Sequence, residues 1–281
     1  MLHRIDWLNR AGTIGVTWNP VTGCSLLSEG CRNCYAARMA KRLQAMGSPR
    51  YRNGFQVTLH PELLEQPLHW KKPRRVFVCS MSDLFHEDVG DGFLDQVFGI
   101  MSVSYSWDLG HRFLLLTKRP DRAATYLQTR EPLRIIDAGR KLLRGCGPQR
   151  MSDAAVTRWP LPNLALGVSV ESSACCHRID ALREIPAHRR FVSFEPLLEE
   201  ITFLKPEASS LPLAGIDWAI VGGESGPGFR EMPLRGLKGL VEECDRQHVP
   251  VFVKQDSGPR PGRQGRIPDE LWRRKEFPGA D

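Results

Sequence analysis

At 281 residues, with 41% hydrophobic and 25% charged residues, the chain is long enough to bury a full core without help from disulfides. No apolar run approaches the roughly 20 residues that cross a bilayer, which argues against a membrane protein. The opening Met1-Leu2-His3-Arg4-Ile5-Asp6-Trp7 lacks the apolar stretch of a secretory signal, so the cytoplasm is the expected compartment. Eight cysteines are too few for a disulfide scaffold, and the net charge of +7 points toward phosphate-bearing partners.

In chain order, the first expected strand is Ile14 to Trp18. A loop follows that holds Cys24, Cys31 and Cys34 within eleven residues. Gly23 and Gly30, each just before a cysteine, let the backbone turn sharply there. Next, Tyr35, Met39, Leu43 and Met46 recur at helical spacing, with Gly47 as the stop. Six further strands are expected at Arg75 to Cys79, Arg112 to Leu116, Leu164 to Val170, Phe191 to Phe194, Trp218 to Val221 and Val249 to Val253. They are near-continuous aliphatic runs, the pattern of parallel strands covered on both faces. Helices are expected at Phe93 to Met101, Ile135 to Arg144, Ala174 to Ile185 and Leu234 to Gln247. This alternation predicts an α/β fold: a single parallel (β/α) domain over 1–281, a partial TIM-type barrel of six to seven strands. A basic insertion is expected over 118–163 and a loop-like tail over 256–281.

Polar residues end the strands in succession. Ser80, Ser82 and Asp83 follow the second, Lys118 the third, Ser169 and Glu171 the fourth, Glu195 the fifth, Glu224 the sixth, and Lys254 falls at the seventh. The carboxyl ends of parallel strands line one crevice, so these residues form the expected site. Between Lys118 and Arg158 ten basic residues stand against four acids. Within that surplus Arg134, Arg140, Lys141 and Arg144 are the expected phosphate-binding residues, for a DNA, RNA or nucleotide partner.

The cysteine loop suits metal ligation, since a helix start at Tyr35 favours thiolates. A closed zinc site calls for a fourth Cys or His, and neither His3 nor His60 stands at a recognisable spacing. A 4Fe-4S cluster held by three cysteines keeps one iron open for a small molecule. The string Asn19-Pro20-x-x-Gly23-Cys24 … Gly30-Cys31-x-x-Cys34-Tyr35-Ala36 resembles the opening of radical S-adenosylmethionine enzymes related to spore photoproduct lyase. The chain is also similar to a bacterial and phage family with a three-cysteine motif, over Thr17 to Lys41, Trp159 to Glu171, Phe191 to Leu198 and Trp218 to Gly226.

The first resemblance implies a partial barrel with a 4Fe-4S cluster on Cys24, Cys31 and Cys34 and S-adenosylmethionine at the open iron. It also implies an external electron donor and modification or repair of a nucleic acid or nucleotide. Ser80, Ser82 and Asp83 stand where that family binds the methionine end, and Ser169 and Glu171 suit the ribose hydroxyls. Glu195, Glu224 and Lys254 are left for substrate or proton transfer. This sequence departs from the family with six residues rather than three between the first two cysteines, and with Asn33 in place of an aromatic. Two alternatives stand beside this reading: a non-catalytic nucleic-acid-binding protein with structural zinc, and a metal-dependent hydrolase or nuclease using the strand-end carboxylates. A protein partner is a further expectation.

Overall fold

The computed structural model describes residues 5–10, 12–143, 159–203 and 211–279. Seven parallel strands form one sheet in the order β1 (Ile14–Trp18), β4 (Arg74–Val78), β5 (Arg112–Thr117), β6 (Leu164–Ser169), β7 (Arg189–Phe194), β8 (Trp218–Gly222), β9 (Val251–Gln255). Each strand neighbours the next along the chain, the connectivity of a partial (β/α) barrel. All seven expected strands are present within about two residues. Two-sided burial explains the apolar runs of β8, every residue of which is buried, and of β9, most of which is. A two-residue antiparallel pair, β2 (Val21–Thr22) with β3 (Thr58–Leu59), is too short to leave a sequence signal.

Contacts group the chain into two compact units, with the boundary inside β6. One comprises Met1–Ser25, Ala36–Leu166 and Ile185–His188; the other comprises Leu26–Tyr35, Gly167–Glu184 and Arg189–Asp281.

In the first unit, α1 (Tyr35–Ala45) ends at Gly47, whose φ of +73° lets the chain reverse. Its buried residues are Ala36 and Ala40; of the expected stripe, Met39 and Leu43 are half-buried, whereas Tyr35 and Met46 are 50% and 69% exposed. Small residues let this helix pack closely while the larger apolar ones lie at its rim. The helices α2 (Asp91–Ser106), α3 (Pro120–Thr129) and α4 (Pro132–Leu142) complete the unit. Phe85, Phe98 and Tyr126 form an aromatic cluster with centroids 5.4 to 6.3 Å apart. α2 and α4 meet backbone to backbone at Gly99 and Gly139; a Cβ on Gly139 would sit 2.7 Å from the Gly99 carbonyl oxygen. The expected insertion is thus, in its described part, two helices, one of them packed on α2. Arg144 and Cys146 lie outside the described residues, as does His3.

In the second unit, α5 (His177–Glu184) and α6 (Leu234–Arg246) follow β6 and β8, and α7 (Asp269–Trp272) follows β9. Leu237, Leu240, Val241 and Cys244 are the buried stripe of α6. The outer edge of β9 is covered by the segment around Lys275: Val253 N–H donates to the Arg274 carbonyl at 2.8 Å and Glu276 N–H to the Val251 carbonyl at 3.1 Å. Trp218 Nε1–H donates to the Glu276 carbonyl at 2.9 Å, and Lys275 Nζ lies 3.3 Å from the Trp272 ring centroid. Among the described residues no helix is long and apolar enough to cross a membrane.

Candidate functional site

Cys24 belongs to the first unit, and the loop carrying Cys31 and Cys34 to the second. All seven described cysteines are thiols outside any disulfide; Cys24, Cys31 and Cys34 are half-buried, whereas Cys79, Cys175 and Cys244 are buried. Burial pushes the Cys79 and Cys244 thiols up to about 12, so these are inert packing groups.

In the first unit the backbone before Cys24 is fixed from several directions. Gly23 has φ +87°, and a Cβ there would run into the Gln56 carbonyl, so only glycine fits. Gly23 N–H donates to the Met81 carbonyl at 3.0 Å and Cys24 N–H to the Phe55 carbonyl at 3.1 Å. Asn19 Oδ1 accepts from Ser80 Oγ at 3.2 Å and Met81 N–H at 3.0 Å, and Ser82 Oγ donates to the Val21 carbonyl at 2.8 Å. Ser80 and Ser82 therefore brace the turn that carries Cys24. Cys79, just before them, has φ +57°, a strained conformation for a side-chain-bearing residue.

Asp83, 6% exposed, accepts from Thr117 Oγ1 (2.7 Å), Lys118 N–H (2.9 Å), Phe85 N–H (3.1 Å) and Arg119 Nη1 (3.3 Å). Arg119, which sequence reading counted only as bulk charge, is the organising cation here. It donates from Nη1 to Cys24 Sγ at 3.5 Å, from Nη2 to Ser25 Oγ at 2.7 Å and from Nε to Glu87 at 3.1 Å. Ser25 Oγ also lies 2.8 Å from His86 Nε2. A guanidinium at a sulfur favours the thiolate form. Lys118 contributes its backbone N–H to this arrangement. His60 is buried against Thr22, 2.8 Å away, and burial lowers its pKa despite Glu62 beside it.

In the second unit two buried carboxylates hold the loop of Cys31 and Cys34. Glu171, at the end of β6 and 0% exposed, accepts from Ser28 Oγ on the loop and from Arg178 Nη1 at 2.9 Å. Arg178 also donates to the Ser169 carbonyl at 2.8 Å; Ser169 itself is buried. Glu224, past the end of β8, accepts from Asn33 Nδ2 at 2.9 Å, between Cys31 and Cys34. It further accepts from Arg230 N–H (2.8 Å), Nε (3.1 Å) and Nη2 (2.6 Å). Burial pushes the Glu224 carboxyl up, but the hydrogen bonds and charge of Arg230, with Asn33, outweigh it and hold the pKa at about 2. Arg230 Nη2 also reaches the Glu29 carbonyl at 3.0 Å. Asn33, where the resembling family has an aromatic, thus has a structural assignment. Its amide ties the cysteine loop to Glu224 and to the Gly228 carbonyl at 2.9 Å.

Glu171 and Glu224, expected to meet ribose and substrate, have their oxygens engaged by the loop and by arginines. Glu195 and Lys254 are differently placed. Lys254 Nζ lies 2.7 Å from Glu195 Oε1, both side chains are partly exposed, and Ser193 Oγ donates to Glu195 at 3.1 Å. On α4, Arg134, Arg140 and Lys141 are exposed as expected.

By residue type alone, the half-buried thiols of Cys24, Cys31 and Cys34 are ligands of the kind a 4Fe-4S cluster takes, and a guanidinium lies at the sulfur of Cys24. Among the described residues no group of three or more His, Cys, Asp or Glu is gathered closely enough to hold a metal ion.

The family model described as Protein of unknown function (DUF5131) matches residues 3–268, and the chain belongs to that family. No curated protein and no solved structure matches the chain.

Proposed function

We propose that this DUF5131 member is a radical S-adenosylmethionine enzyme that holds a 4Fe-4S cluster through Cys24, Cys31 and Cys34 and acts on a nucleic acid or nucleotide. The observation that carries the reading is the bracing of the thiol loop: strand-end residues, Asp83 through Arg119 and Glu171 and Glu224 directly, are committed to holding it. A surface loop without a ligand has no need of two buried carboxylates, each costly to bury unpaired. The parallel strand order and the Asn19-Pro20 to Ala36 resemblance support the same reading.

The cluster and S-adenosylmethionine, when bound, supply one-electron reduction and a 5′-deoxyadenosyl group. The chain's own residues supply the rest. Cys24, Cys31 and Cys34 are the ligands. Arg119 offsets negative charge at Cys24 Sγ and keeps Ser25 and the ligand in one orientation. Ser28 with Glu171, and Asn33 with Glu224 and Arg230, fix the other two cysteines. Lys254, whose Nζ pairs with Glu195, would hold or release a proton to substrate. The net charge of +7 supports a phosphate-bearing substrate.

Anaerobic reconstitution with iron and sulfide tests the assignment. The parent is expected to turn brown with about four iron per chain. Cys31→Ala is expected to lose most of that iron, and Cys176→Ala, outside the three-cysteine motif in sequence, to keep it. Equal iron in both variants, or a colourless parent carrying one zinc, would overturn the reading.

A further inference from the structure

Of the seven basic residues described over 118–143, five lie beside acids of the fold. Arg119 pairs with Asp83 and Glu87, Arg122 with Asp91 at 2.5 Å, and Arg130 with Asp95. On α4 itself Arg134 lies 3.9 Å from Glu131 and Arg140 3.8 Å from Asp137. A second basic stretch is different. Between Glu29 and Glu62 stand Arg32, Arg38, Lys41, Arg42, Arg50 and Arg52 without a single Asp or Glu.

Arg38, Lys41 and Arg42 are spaced i, i+3, i+4 on α1, on the side opposite the buried Ala36 and Ala40. Arg50 and Arg52 follow on the 3-10 turn Pro49–Tyr51 and its cap, and Gln44 Nε2 ties that turn to α1 by donating to the Arg52 carbonyl at 3.0 Å. Lys41, Arg42, Arg50 and Arg52 are all exposed, and among the described residues none of the four is in an ion pair. Four unneutralised cations held by one helix and its following turn are an electrostatic footprint for a polyanion. In sequence the face begins four residues after Cys34.

We infer that the α1 face, through Lys41, Arg42, Arg50 and Arg52, docks the phosphodiester backbone of the nucleic-acid substrate. The inference rests on the nucleic-acid half of the function proposed above and names the surface that serves it. Phosphate contacts carry no base information, so DNA and RNA of equal length are equivalent probes of this face.

The test is fluorescence anisotropy on the full chain with a labelled 25-base-pair DNA duplex and a matched RNA duplex, at several salt concentrations, with iron content measured in parallel. The parent is expected to bind with a log–log salt slope of about −3.6, at about −0.9 for each of four phosphate contacts. Substituting Lys41→Gln, Arg42→Gln, Arg50→Gln and Arg52→Gln together is expected to weaken binding at least about 100-fold at 100 mM salt and to flatten the slope. Iron content and the circular dichroism spectrum stay at parental values. The comparison variant, with Arg134→Gln, Arg140→Gln and Lys141→Gln, is expected to bind within about threefold of the parent. A parent that binds neither duplex at 50 mM salt, a quadruple variant that binds like the parent, or loss confined to the α4 variant would each overturn the inference. Iron loading without duplex binding would reject this surface and leave the cluster reading standing. Duplex binding lost in the quadruple variant of a protein that never loads iron would do the reverse.

Discussion

Replacing Glu224 by Gln keeps the shape of the side chain and removes its charge, which isolates the anchor of the cysteine loop. In the folded protein the carboxyl sits at about 2 against an ordinary 4.5, because burial, which raises it, is outweighed by the Arg230 and Asn33 hydrogen bonds. At about 1.4 kcal/mol per pKa unit, that depression corresponds to roughly 3 kcal/mol of folding stability at neutral pH. The folded value lies below the unfolded one, so the unfolded chain takes up the proton first as the pH falls. The stabilisation is therefore complete above about pH 4.5 and gone below about pH 2. Urea unfolding of parent and Glu224→Gln side by side reads this directly, because the other carboxylates cancel in the difference. The difference is expected to be about 3 kcal/mol at pH 7 and to shrink by about 1.4 kcal/mol at pH 3.5. A difference that stays constant down to pH 3.5, or one below about 1 kcal/mol at pH 7, would refute the assignment of Glu224 as a charged anchor.

Two other substitutions test the packing. Gly139→Ala puts a methyl 2.7 Å from the Gly99 carbonyl oxygen and is expected to cost about 2–3 kcal/mol by forcing α2 and α4 apart. Gly239→Ala on α6, where nothing lies within 4 Å of the new Cβ, is expected instead to stabilise by about 0.5–1 kcal/mol, both read by urea unfolding. Arg178→Ala removes the guanidinium 2.9 Å from the fully buried Glu171 and is expected to lower stability by about 3–5 kcal/mol at pH 7; a loss under about 1 kcal/mol would refute this pair as a stabilising contact.

The elements were legible where a single periodicity decides them. Val76, Val78, Phe113, Leu115 and the run Trp218 to Val221 are buried on both faces of the sheet and so stand out as apolar runs. α3 carries a weaker signal, Pro120 at its start and Ala123, Tyr126 and Leu127 at helical spacing. The cysteine loop was legible because its three thiols lie within eleven residues. Its supports were not: Ser28 and Glu171 are 143 positions apart, and Asn33 and Glu224 are 191 apart, so no local pattern links them. Strand-end position singles out both carboxylates, but only the fold shows that their partners include Ser28, Arg178, Asn33 and Arg230. Charge counting sums Arg119, Arg122 and Arg130 with the other basic residues, and only the fold gives each an acid from before β5.

The segment around Lys275 bears on how the molecule behaves in company. β9 is the last strand of the sheet, and its outer row of amides and carbonyls is met by Arg274 and Glu276 of the same chain. An edge left bare is a template on which a neighbouring molecule lays its own strand. A chain cut before Arg274 keeps every residue of the cysteine loop and its anchors, yet exposes the apolar Val251-Phe252-Val253 run along an unpaired edge. What these few residues protect is solubility at high concentration, by denying a second molecule the strand edge on which aggregation would start.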